Sequence, residues 1–161
     1  MSYDERLHVP LRWWALATMF LASLLLAFLV ATPAWLAFTV SGLVAVGTAA
    51  LFMGYGGARV RVDASTGPDG VGTFYAGRAH ITVDLLGVPV ALDAQASRRL
   101  AGVDADARAY LLLRPYVSRS VQVPVRDAHD PAPYWLVATR RPDQLVAALV
   151  AAGAPSGAPE D

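Results

Sequence analysis

Cysteine and lysine are both missing from this chain. Without cysteine there is no disulfide framework, no thiol nucleophile and no sulfur-ligated zinc or iron–sulfur centre. Without lysine there is no Schiff-base amine and no lysine-bearing phosphate loop. All thirteen basic residues are arginine, and they are balanced by thirteen Asp and Glu, so the formal charge is zero. That balance argues against a nucleic-acid binder that works by neutralising phosphates. Charge is also scarce, at 16% of residues against about 25% in ordinary soluble proteins. None of it lies in the forty-six positions between Arg12 and Arg59. The chain therefore reads as a charge-free segment joined to a domain of ordinary charge density, where eleven Arg face eleven Asp or Glu from Arg59 onward.

The charge-free segment holds two apolar stretches of spanning length, Trp13 to Val30 and Ala34 to Tyr55. A single helix over forty-six residues would run about 69 Å, twice a hydrocarbon core of about 30 Å. A hairpin turning at Ala31-Thr32-Pro33 fits instead. Trp13, Trp14, Trp35 and Tyr55 fall where an aromatic belt belongs. Arg6 and Arg12 precede the first helix, Arg59 and Arg61 follow the second, and the turn is uncharged. The positive-inside rule then places both ends in the cytoplasm. A cleaved signal peptide is the competing reading of the first stretch, and the second stretch three residues later weighs against it. Small residues recur at helical spacing: Ser23, Ala27 and Ala31, then Ala37, Ser41, Ala45 and Ala49. Such stripes suit close helix packing and a homo-oligomer, and an alanine-rich chain also produces them by chance. No ionisable group lies within the spans, which argues against transport by the hairpin alone.

From Arg59 the period changes to two. Arg59 to Asp63, Val71 to Tyr75, Ala79 to Leu85 and Val88 to Leu92 read as strands. Asp93 caps a short helix ending at Gly102. Ala109 to Leu113, Ser120 to Arg126 and Tyr134 to Arg140 are three further strands. Pro124 cannot donate to a ladder, which suggests an edge or a bulge. An amphipathic helix follows over Pro142 to Ala152, stopped by Gly153, and Ala154 to Asp161 has the composition of a disordered end. The expected architecture is a membrane α-helical hairpin plus a small mainly-β (α+β) PH-like domain with a C-terminal amphipathic helix. Residues 1–12 are expected as a cytoplasmic leading segment and residues 59–152 as the folded domain.

The run Asp127-Ala128-His129-Asp130-Pro131-Ala132-Pro133-Tyr134-Trp135-Leu136-Val137-Ala138-Thr139-Arg140-Arg141-Pro142 resembles the end of the actinobacterial family called domain of unknown function 3093. That family runs close to DPxDPTPYWLVSTRRP there. Arg108 to Val117 and the two-helix start are similar to it as well. The sequence departs at Ala132, Ala138 and Ala128-His129. The resemblance implies an actinobacterial membrane protein with a cytoplasmic domain, and no activity comes with it.

No cofactor is expected, and no catalytic constellation stands out, so a non-enzyme is expected. Asp127, His129 and Asp130 are ligand types for a small metal site, and equally the ordinary content of an Asp/Pro loop capping its own amides. Gly54-Tyr55-Gly56-Gly57 reads as a hinge, since it lacks the Lys and Ser/Thr of a phosphate loop. Arg114, Tyr116, Tyr134, Trp135, Arg140 and Arg141 are the candidate contact surface. Paired guanidiniums near a membrane can hold lipid phosphates, while Arg140 could instead pair with Asp127 or Asp130. The partners expected are the bilayer, another membrane protein or a second copy, and no nucleic acid. The favoured reading is a membrane-tethered binding or scaffolding module. The alternatives are an accessory subunit of a cell-envelope complex that uses the hairpin as its interface, and an enzyme acting on lipids.

Overall fold

The structure is a computed structural model that describes residues 3–64, 71–127 and 129–157, with Tyr55 described by its backbone alone. Residues 65–70, between the first two strands expected from the sequence, lie outside the described residues. The chain divides into two compact units, Met1–Leu7 with Ala58–Asp161, and His8–Gly57.

The second unit is a helical hairpin. α1 (Leu11–Ala31) and α2 (Ala34–Tyr55) are each long and apolar enough to cross a membrane by length and composition. Thr32 and Pro33 make the turn, where the Thr32 amide and hydroxyl both donate to the Phe28 carbonyl at 2.8 Å. At the other end the rings of Trp13 and Trp14 meet Phe52 edge-on, at 6.4 and 5.0 Å. α2 continues through Gly54 and Tyr55, and the Gly56 amide closes its last turn on Phe52. Ala37 and Ser41 are buried in the helix pair, whereas Ser23, Ala27 and Ala31 of α1 are exposed. Only one of the two small-residue stripes is therefore used inside the hairpin.

Among the described residues the first unit holds eight strands in two four-stranded sheets. β1 (Tyr3–Arg6), β2 (Arg59–Asp63), β3 (Thr73–Ala76) and β4 (Ala79–Thr82) form an antiparallel meander. β5 (Val90–Leu92), β6 (Tyr110–Leu112), β7 (Ser120–Pro124) and β8 (Tyr134–Ala138) form the other sheet, in the order β5-β7-β8-β6. β6 is parallel to β8, and the other pairings are antiparallel. α3 (Ala94–Ala101) begins at Asp93, whose Oδ1 accepts from the Gln95 and Ala96 amides at 2.9 and 2.7 Å. That satisfies two of the donors a helix start leaves open.

The core lies between the sheets. Val60, Val62, Phe74, Val121, Val123 and Val137 are fully buried there, and the Phe74 and Trp135 rings approach to 5.8 Å. α4 (Pro142–Ala151) adds Leu145 and Leu149. Its end is a Schellman motif: the Ala154 amide reaches Leu149 O at 2.9 Å and the Gly153 amide reaches Val150 O at 3.1 Å. Gly153 adopts φ 114°, which a side chain would oppose. Ala154 is consequently buried in the core, so the expected disordered end does not begin there. Residues 158–161 lie outside the described residues.

One further expectation is corrected, and one open alternative is decided. The leading segment is not separate from the domain, because Tyr3–Arg6 pairs with β2 in the register Tyr3↔Val62 to Arg6↔Arg59. The hairpin is thus inserted between two neighbouring strands, and the Leu7 amide donates to Ala58 O at 3.0 Å where the chain leaves and returns. β7 is not an edge strand but lies between β5 and β8. Its proline is accommodated by a bulge. Val90 opposes Gln122 but Leu86 opposes Val125, so the β5 side carries one extra residue. The missing Pro124 donor falls at that shift, and the Pro124 carbonyl accepts from Gly87 at 2.7 Å.

Candidate functional site

Of the six candidate contact residues, two are internal. β8 is buried at all five positions, because β7 and β6 flank it and both its faces are covered. Trp135 is 4% exposed, with its ring against Phe74 and 4.8 Å from Tyr110. Tyr134 faces the other way, where its hydroxyl oxygen accepts from the Asp106 amide at 3.1 Å. Neither belongs to a contact surface. Both are packing residues.

The fold does bring Arg114, Tyr116 and Arg140 together. The Arg140 guanidinium lies over the Tyr116 ring, 5.9 Å from its centroid, within cation–π range. The Tyr116 hydroxyl donates to the Leu7 carbonyl at 2.6 Å, so this side chain buttresses the point where the chain leaves for the hairpin. Burial pushes the Tyr116 hydroxyl above the ordinary tyrosine range, and Arg114 and Arg140 oppose that shift. Arg114 Nη1 donates to Leu113 O at 3.0 Å. The Arg141 side chain is exposed, and its amide donates to Thr139 Oγ1 at 3.0 Å.

Beneath this group lies a polar cluster that the sequence did not announce. The Tyr3 and Thr139 hydroxyls each donate to Glu5 Oε2 at 2.6 Å, with their oxygens 2.9 Å apart. The Arg140 amide donates to Glu5 Oε1 at 3.2 Å. Glu5 is 9% exposed and Thr139 fully buried. A buried carboxylate is tolerated only when its lone pairs are met, and here three donors meet them. Burial, then the adjacent Glu5, push the Tyr3 hydroxyl well above the ordinary tyrosine range. The cluster joins β1 to the end of β8 and the start of α4. The alternation of Tyr3-Asp4-Glu5-Arg6 was the available signal, obscured because one inward residue is charged.

The remaining candidates resolve as loop and strand chemistry. Asp127 Oδ1 accepts the His129 amide at 2.8 Å and lies 3.3 Å from His129 Nδ1. Asp130 Oδ1 accepts the Ala132 amide at 2.9 Å. Both carboxylates act as turn caps, and among the described residues no three His, Asp or Glu side chains form a metal-ligating group. On β4, outside the candidates named from the sequence, His80 stacks on Tyr75 with ring centroids 5.8 Å apart.

No curated protein and no solved structure matches the chain. The family described as "Protein of unknown function (DUF3093)" matches residues 2–149, nearly the full length, and the chain belongs to that family.

Proposed function

We propose that this is a two-pass membrane protein that holds a PH-like binding module at the cytoplasmic face of a bacterial plasma membrane, without catalysing a reaction. The observation that carries the reading is that Arg140 lies over the ring of Tyr116, two residues from Arg114, and that the Tyr116 hydroxyl bonds to Leu7, where the chain passes into an apolar hairpin. The exposed Arg140 and the half-buried Arg114 there suit an acidic group of a neighbouring membrane protein or a lipid headgroup. The four-strand meander, the second sheet and the closing helix α4 support the PH-like reading. Membrane insertion is supported by α1 having no buried residue, unlike the core helix of a soluble protein. A second spanning helix follows after Thr32 and Pro33, unlike a lone signal segment.

A second reading makes the hairpin an interface in its own right, to another subunit or a second copy. Ser23, Ala27 and Ala31 favour it, because α2 leaves that stripe uncovered.

The native absence of cysteine makes topology directly testable. Thr32→Cys should react with an impermeant maleimide on intact cells, and Gln95→Cys only after lysis. Labelling of Gln95→Cys from outside would reverse the orientation. Affinity capture from membranes tests the contact surface. A partner retained by the wild type and lost by Arg140→Ala/Arg141→Ala supports it, and an unchanged partner set removes it.

A further inference from the structure

We infer that the outer face of the β1–β4 sheet carries a second, separate site, one for the phosphate of an anionic lipid headgroup, built by Arg6, Arg59 and Arg78. The inference rests on the membrane reading above. Register alone assembles the site. Arg6 stands directly opposite Arg59, and the Gly77 amide bonds to the Arg59 carbonyl at 2.9 Å. The Gly77-Arg78 turn therefore continues the same row across the sheet. Gly77 holds φ 68°, as the first position of a type II′ hairpin turn requires.

Like charges directly opposite one another on a sheet are destabilising, yet only Arg59 has a carboxylate, its guanidinium gripping both oxygens of Asp4. Among the described residues Arg6 and Arg78 form no ion pair or side-chain hydrogen bond. Over the outward face and its turn, Arg6, Arg59, Arg61 and Arg78 stand against Asp4 and Asp63, leaving two positive charges unmatched. Beside the row a cleft of about 420 Å³ opens between Arg59, Arg61, Asp63, Tyr75 and Gly77, with space for a polar headgroup.

The row also lies at the end of the sheet from which the chain departs. Arg6 is five residues from Leu11 and Arg59 is four from Tyr55 along the chain. A phosphodiester set among the guanidiniums would relieve the Arg6–Arg59 opposition. An anionic lipid meets this demand better than a zwitterionic one, whose own ammonium offsets its phosphate.

The test uses the full chain, purified in detergent and stripped of lipid. Native mass spectrometry then measures binding of phosphatidylglycerol and phosphatidylcholine to the wild type, to Arg6→Gln/Arg78→Gln and to the charge-matched control Arg98→Gln/Arg126→Gln. Both pairs are exposed, and Arg59–Asp4 stays intact, so the fold is preserved. The wild type and control should prefer phosphatidylglycerol, and Arg6→Gln/Arg78→Gln should lose about thirtyfold of that preference, roughly fivefold per arginine. An undiminished preference in that variant overturns the proposal. So does displacement of the lipid by glycerol 3-phosphate at equal concentration, which would mark a free phosphate ester as the ligand. Release of the chain from membranes by alkaline carbonate would refute the membrane reading and this site with it. Retention with unchanged lipid preference refutes this site alone.

Discussion

Thr139→Val is the sharpest test of the clamp that ties β1 to the rest of its unit. The substitution keeps the shape of a fully buried side chain and removes one oxygen. That oxygen donates to Glu5 Oε2 at 2.6 Å, lies 2.9 Å from the Tyr3 hydroxyl and accepts the Arg141 amide at 3.0 Å. A hydrogen bond to a charged group contributes about 1.5–3 kcal/mol, and the loss falls on a buried carboxylate that cannot turn to water. Arg141 is at the surface, so its amide recovers a solvent partner at little cost. The expected destabilisation is about 2–3 kcal/mol. For a unit of about 110 residues that lowers the melting temperature on the order of 10 °C. Near-ultraviolet circular dichroism of the full chain in a mild detergent, which follows aromatic packing in the sheet core, reads it. Tyr3→Phe should be non-additive with Thr139→Val, because both hydroxyls serve the same carboxylate oxygen. A shift below about 2 °C, or strict additivity of the two changes, would refute the view that Glu5 organises this corner.

Three further outcomes follow from the same geometry. The Tyr3 hydroxyl is raised above its ordinary value of 10.0, so its contribution is fully present below pH 10 and is lost as the pH climbs towards the folded-state value. Alkaline titration of stability should therefore show wild type falling relative to Tyr3→Phe above pH 10 and parallel to it below. Trp135→Ala should cost about 3–5 kcal/mol by opening a cavity against Phe74 and Tyr110, whereas a contact residue would lose binding and keep its melting temperature. Gly77→Ala forces a side chain onto φ 68° and places its Cβ 3.4 Å from Leu112 Cδ1. It should cost about 1–2 kcal/mol by chemical denaturation, with Gly77→Asn milder.

The period-two segments of the domain were legible because their inward residues are apolar: Val60 and Val62, then Val121 and Val123, are all fully buried. Capping chemistry was legible for the same local reason at Asp93 and Gly153. β1 was not, since half its inward face is a carboxylate, two of whose three donors come from Thr139 and Arg140. Trp135 was misread through its neighbours. The run Tyr134-Trp135-Leu136-Val137-Ala138 is continuously apolar, which is what a strand covered on both faces looks like, yet the adjacent arginines drew it to the surface. Proline at 124 signalled an irregularity, and the bulge answers it without moving the strand to an edge. The cluster of Arg114, Tyr116 and Arg140 was half legible: its members were named from the sequence, but Arg140 meets the Tyr116 ring only in the fold, and the Tyr116 hydroxyl is fixed by a carbonyl on Leu7, 109 positions away.

The placement of the hairpin changes what neutrality means here. Eleven Arg against eleven acids in the segment after the hairpin suggested a domain with no electrostatic preference for a membrane. Net charge, however, takes no account of which side chains share a face. Inserting the hairpin between β1 and β2 sets Arg6 beside Arg59, fifty-three positions apart in sequence, and the β3–β4 turn brings Arg78 alongside. Much of the balancing acid goes elsewhere: Glu5 turns inward to the hydroxyl cluster, Asp93 caps a helix, and Asp127 and Asp130 cap a loop. The chain is therefore neutral in sum while the face beside its two connections to the hairpin is not. That separation is produced by strand register and capping, so it exists only in the folded unit. Loosening β1 should disperse the arginine row together with the clamp beneath it.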